Sequence, residues 1–318
     1  MDDNRRYLCF NERSPVFQLA LSLVIVLGAG TFLFAFCLLA GLVIFDVKIF
    51  QLKDLISSCS EKDLAFLRYI LISQQVCLFI IPSIIILRQF DPGNQKSISV
   101  FKKTSPNEIA LVVLLAFCIF PVTWFTGQLN AGMTLPDWLS GVEKWMIESE
   151  SRANRFLELI MVRETFRVIL LNLFMIAVLP AFGEELIFRG IFQRIFGKLF
   201  KSGHAAVWAT AFIFSTLHFQ FFGFIPRFIM GLVFGYLFLL SGNLWLPVIA
   251  HFVNNAVPVI IAGIMGMEKL NELQGVPILE QLIVLPLPVL GIVLIFRHIT
   301  NKGREADSLS QRESPPSD

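Results

Sequence analysis

The sequence predicts an all-α fold: a polytopic integral membrane bundle of about eight transmembrane helices. Three observations predict it. The 318 residues are 55% hydrophobic and only 16% charged, against about 25% charged in a soluble domain. Mean hydropathy is +0.71. The apolar residues also come in runs of spanning length, about 20 residues each. The formal net charge of +2 is scattered over loops. No glycine-rich phosphate loop, zinc-finger spacing or RNA-binding signature occurs, so no nucleic-acid partner is expected.

A polar N-terminus, 1–15, precedes the first apolar run, 16–45. That run is too long for a signal-peptide core, and Gly28, Gly30 and Gly41 are its points for tilting or kinking. Runs 66–88 and 108–126 complete an N-terminal transmembrane part, 16–126. Arg68, Gln74 and Gln75 in the second run match no motif and are assigned to packing. The loop 127–163 holds Trp138, Val142, Trp145 and Met146 at i, i+4, i+7 and i+8, with Leu139 on the same face. Glu143, Lys144, Glu148 and Glu150 lie mostly away from it. This pattern predicts an amphipathic helix, either lying at the membrane surface on tryptophan anchors or packed on neighbouring spans. The part 164–300 carries five further runs: 166–190, 205–225, 227–241, 243–264 and 278–297. Gly231 and Gly235 form a small-residue pair that permits close helix approach. The tail 301–318 is rich in Ser, Pro and charge and is expected to be disordered.

Arg5, Arg6 and Arg13 precede the first run, and Arg88, Lys96, Lys102 and Lys103 follow the second. Arg194, Lys198 and Lys201 follow the fourth, and Arg297, Lys302 and Arg304 the eighth. With eight spans these clusters share one side, which the positive-inside rule makes cytoplasmic for both termini. The lack of a removable targeting segment suits a bacterial cytoplasmic membrane. The cysteines Cys9, Cys37, Cys59, Cys77 and Cys118 form no CxxC pair and read as small apolar packing residues.

An ionised Asp, Lys or Arg at bilayer depth costs roughly 3 kcal/mol on the insertion scale, so intramembrane ionisable residues point to function. Glu184 and Glu185 stand in the fourth run with Arg189 four residues on. On a helix Glu185 and Arg189 are one turn apart and pair, whereas Glu184 is rotated by about 100° and is left for chemistry. The bland alternative is one buried ion cluster that fixes packing. His218 follows Phe214 at helical spacing in the fifth run, as a packing residue or a ligand. His251 and Asn255 share a helix face in the seventh, either as hydrogen-bond donors to a developing oxyanion or as glue between spans.

Glu-Glu-x-x-x-Arg, Phe-x-x-x-His and His-x-x-x-Asn, in that order on successive apolar runs, resemble the CPBP family. These are type II CAAX-prenyl-endopeptidase-like and bacteriocin-processing, Abi-like, intramembrane proteases. The motifs span 184–255 and the resemblant core about 165–265; the N-terminal half fits by character alone. The resemblance implies a membrane-embedded peptide hydrolase acting on a peptide or lipidated protein, with membrane lipid as surroundings; it leaves the oligomeric state open. It makes Glu184 the water-activating base, His218 its helper, His251 and Asn255 the oxyanion pair, and Glu185 and Arg189 the supporting pair. Cofactor use stays open between a metal-free mechanism and a Zn2+ site on Glu184, His218 and His251. No HExxH is present, and using Glu184 as a ligand occupies the best base. A non-catalytic membrane partner that captures peptides, and a proton-coupled transporter, are the alternative functions.

Overall fold

The computed structural model describes residues 10–49, 61–90, 100–161 and 165–313. Cys9, Cys59, Arg5, Arg6, Lys96 and the stretch 314–318 lie outside the described residues. The helices are α1 (Pro15–Ile44), α2 (Asp63–Gln89), α3 (Pro106–Ala131), α4 (Ser140–Ile160), α5 (Phe166–Phe200) and α6 (Gly203–Thr216). They continue with α7 (Phe224–Ser241), α8 (Trp245–Met265), α9 (Met267–Gln274), α10 (Ile278–Val284) and α11 (Pro286–Glu313). No strand occurs among the described residues.

Six of these segments are long and apolar enough to cross a membrane: α1, α2, α3, α5, α7 with its preceding turn, and α8. The pair α10 and α11, bent by 42°, makes a seventh if it counts as one span. The expected eighth fails at 205–225. There α6 stops at Thr216 after 14 residues, about 21 Å at 1.5 Å per residue and short of the ~30 Å hydrocarbon core. Phe219 takes a left-handed backbone, φ 52°, and turns the chain into α7. The argument that eight spans put both termini on one side loses its count with that run. The tail also differs from expectation, because α11 continues to Glu313. Arg304, Glu305, Ala306, Gln311 and Arg312 are good helix formers, and no proline interrupts before Pro315.

Local chemistry sets the helix ends. Ser14 accepts from the Phe17 N–H, with Pro15 in the first turn. Ser105 and Glu108 form a reciprocal capping box ahead of α3. Lys201 (φ 52°) closes α5 and Ser202 caps α6, so the two are joined tightly. Gly242 (φ 58°) ends α7, where a left-handed residue is cheapest as glycine. Asn243 Oδ1 then accepts from the Lys102 and Trp245 N–H groups at 3.1 Å each.

Among the described residues four stretches widen into π-helix: Val24–Gly30, Gln75–Ile80, Leu173–Val178 and Leu186–Gln193. Such i→i+5 turns cluster at functional positions, and the last two flank Glu184 and Glu185. The middle of α5 packs on α2, α6 packs along α7, and α8 lies against α3 and α5. One buried cluster joins Ile86, Leu186, Ile191, Ile195, Phe214 and Leu244. A second joins Leu115, Phe234, Leu237, Ala250 and Ile295. The expected amphipathic helix exists as α4. Trp138 is 80% exposed, but the Trp145 ring lies 5.2 Å from Phe221 in the turn ahead of α7, so α4 is also packed. Cys37 and Cys77 are free thiols with Sγ atoms 3.7 Å apart.

Candidate active site

Glu184 and Glu185 stand where the α-helical turn of α5 passes into the π stretch. Glu185 and Arg189 are fully buried. Arg189 Nη1 donates to Glu185 Oε1 at 2.9 Å and Nη2 to the Gly231 carbonyl at 3.0 Å. The guanidinium lies 5.0 Å from the Phe214 ring centre and 5.6 Å from that of Phe234, so cation–π attraction adds to the ion pair. One turn on, Gln193 donates to the Gly235 carbonyl at 2.9 Å. A Cβ at Gly231 would stand 3.0 Å from Ala211 Cα, and one at Gly235 2.8 Å from Val207 Cγ1. The glycine pair thus lets α7 approach α6 while its two carbonyls receive the polar ends of α5. Sequence reasoning assigned these glycines to packing and missed Gln193. The signal was present: Arg189 and Gln193 repeat the four-residue spacing of Gly231 and Gly235.

His251 enters from α8. Its Nδ1 lies 2.8 Å from Glu185 Oε1, and because a carboxylate only accepts, Nδ1 carries the proton. Its Nε2 lies 3.9 Å from Glu184 Oε2. The ring stacks on Phe234 at 5.2 Å and meets Phe214 edge-on at 6.1 Å. Glu185 therefore holds both Arg189 and His251 on one oxygen, which its helical spacing did not reveal. Gln75, assigned to packing, reaches Glu184 instead: its Nε2 lies 3.5 Å from Glu184 Oε1. Gly183 allows that approach, since a Cβ there would stand 3.0 Å from Phe79 Cβ. Asn255, one turn beyond His251, donates one N–H to the Ile176 carbonyl at 3.2 Å and ties α8 to the π stretch Leu173–Val178.

His218, placed within the fifth apolar run, stands two residues beyond the end of α6. Its Nδ1 donates to the Phe214 carbonyl at 2.7 Å, satisfying one of the carbonyls a helix end leaves unpaired. Its ring meets Phe214 at 4.9 Å. Phe214 thus touches His218, His251 and Arg189, which explains the phenylalanine of its motif. Glu184, Glu185, Arg189 and His251 form one contact set, and His218 joins it through Phe214. Among the described residues, no three His, Cys, Asp or Glu side chains are arranged to hold a metal ion.

Residues 166–257, which contain all seven motif residues, match the family of type II CAAX prenyl endopeptidase Rce1-like proteins. The uncharacterized protein YpbD of Bacillus subtilis (strain 168) is 32% identical over 90 residues. That match covers 27% of this chain and 43% of YpbD, so less than half the curated relative's length is spanned. No solved structure matches. Six apolar helices of spanning length, together with a segment that matches this membrane-protease family, make the chain an integral membrane protein.

Proposed function

We propose, from the match of residues 166–257 to the type II CAAX prenyl endopeptidase Rce1-like family, that the protein is an intramembrane endopeptidase that hydrolyses a peptide bond of a membrane-associated or lipidated protein. The observation that carries the reading is the meeting of Glu184 and His251, from two helices, at 3.9 Å. The His251 ring is oriented from behind by Glu185. A separation above 3.5 Å between two polar groups suits a bridging water.

Charge balance permits the chemistry. Glu184, Glu185, Arg189 and His251 are neutral as a set with two carboxylates and two cations. They are equally neutral with Glu184 protonated and His251 uncharged. The first state holds a base and an oxyanion donor at once. In it Glu184 takes a proton from water that the free Nε2 of His218 helps to hold, and the resulting hydroxide attacks the peptide carbonyl. The oxyanion receives the His251 Nε2–H and the second N–H of Asn255. Glu184 returns its proton to the leaving amine as the C–N bond breaks, which restores the starting charges.

The test is cleavage of a quenched peptide library by detergent-purified protein, wild type beside Glu184→Gln, with and without a strong chelator. Activity lost in the variant and kept under chelator is the expected result. Activity lost under chelator assigns the water to a metal. A folded wild type that binds peptides and cuts none replaces this reading with peptide capture. Losing the His251 donor through His251→Ala should cost about 10²–10³ in turnover.

A further inference from the structure

His218 stands on a turn, and a turn places a side chain only as well as it is itself held. Five side-chain bonds from three elements converge there. At the end of α6, Ser215 Oγ donates to the Phe224 carbonyl at 2.6 Å. From α3, Asn130 donates to the Phe221 carbonyl at 3.1 Å and accepts the Ile225 N–H at 2.8 Å. From α7, Arg227 donates to the Gln220 carbonyl at 3.0 Å through Nη1 and to the Gln220 side chain through Nη2. Asn130 is 7% exposed, and its amide acts as a substitute backbone strand, with donor and acceptor on the same turn. It lies outside the family-matched segment 166–257.

We propose that Asn130 and Arg227 are positioning residues for His218, clamping the turn 217–225 from α3 and α7 so that the imidazole keeps its place. The proposal rests on the endopeptidase reading for its kinetic consequences and stands apart from it structurally. The hydrogen bonds of both residues go to the turn and not to Glu184 or His251, so in this proposal their effect on the reaction runs through His218.

The experiment compares Asn130→Ala and Arg227→Gln with wild type, each in native and His218→Ala backgrounds. A misplaced group costs up to about 10²-fold in rate, so kcat falls by a comparable factor in the native background while KM stays close to wild type. In the His218→Ala background the same changes cost nothing further, because two residues acting through one group do not add. Additive losses in the double variants, or unchanged kcat in both single variants, overturn the proposal. Arg227→Lys and Asn130→Asp, which keep part of each bond set, recover part of the rate. They also replace the harsher variants if those do not fold. A second arm needs no turnover. Acylation of each histidine by diethyl pyrocarbonate is mapped by mass spectrometry. His218 reacts several-fold differently in the clamp variants, while His251, held on Glu185, reacts as in wild type. Equal His218 rates in all proteins overturn the clamp, even where the wild type cleaves no peptide and the endopeptidase reading has already failed.

Discussion

Glu185 Oε1 receives Arg189 at 2.9 Å and His251 at 2.8 Å, so a single oxygen atom holds a cation and orients a ring. Glu185→Gln leaves the fully buried Arg189 without its ion-pair partner, which costs about 3–5 kcal/mol. Thermal unfolding in detergent should show the loss, and an unchanged Tm would remove the pair from the stability account. Glu185→Leu combined with Arg189→Met takes out both charges, so much of the stability should return. Activity should not return, because the His251 Nδ1–H then has no acceptor to fix the ring. Stability and turnover therefore separate in one pair of variants. The Glu185–Arg189 half of this arrangement was legible in the sequence, since partners one helical turn apart meet by geometry. His251 as a partner of Glu185, 66 residues away, and Gln75 beside Glu184, 109 residues away, were not, because periodicity within one helix says nothing about which neighbour faces it.

At the scale of elements, close approach and docking make separate predictions. A methyl at Gly231 meets the Ala211 backbone, so Gly231→Ala should destabilise by about 1–3 kcal/mol through overpacking. It also moves the carbonyl that Arg189 uses. Gly127→Ala meets only Pro226 Cγ at 3.8 Å and should be neutral; equal Tm shifts for the two would sink the argument. The surface helix α4 has a titratable contact. Burial raises the Glu150 carboxyl above its ordinary range, with the Arg227 guanidinium and the Phe222 backbone pulling it down by less. Arg155 and Glu158 also line the cleft it shares with Phe222. A carboxyl raised on folding binds its proton more tightly in the docked state. Docking is therefore strongest below the unfolded value and weakens as pH rises through the shifted one. Hydrogen exchange along 140–160 should rise with pH across that window beyond its intrinsic trend, and Glu150→Gln should abolish the excess. The helix itself was legible from its tryptophan spacing. Its contact with the His218 turn was not, and neither was the early end of α6, because aromatic and aliphatic residues continue past Phe219 to Ile225 while the backbone reverses there.

For the whole molecule, the segment that carries the motifs does not make the site alone. The family match begins at 166, yet Gln75 touches Glu184 from α2 and Asn130 holds the His218 turn from α3. The α2 face around Ile86 and Leu87 also shares the main buried cluster with Leu186 and Ile191. In a membrane, helices associate through packing and hydrogen bonds rather than through water exclusion, so losing these two helices removes specific contacts and not merely bulk. This predicts the outcome of dividing the chain between Met161 and Thr165. Co-expressed halves should co-purify and cleave the peptide that the intact protein cleaves, because each contact above forms between helices and not through the connecting chain. The C-terminal half alone should be inactive and expose His218 to acylation. Full turnover by 165–318 in isolation would show that α2 and α3 only surround the site. Complementation that fails when Asn130→Ala is carried on the N-terminal half, and succeeds without it, would locate their contribution at the turn that bears His218.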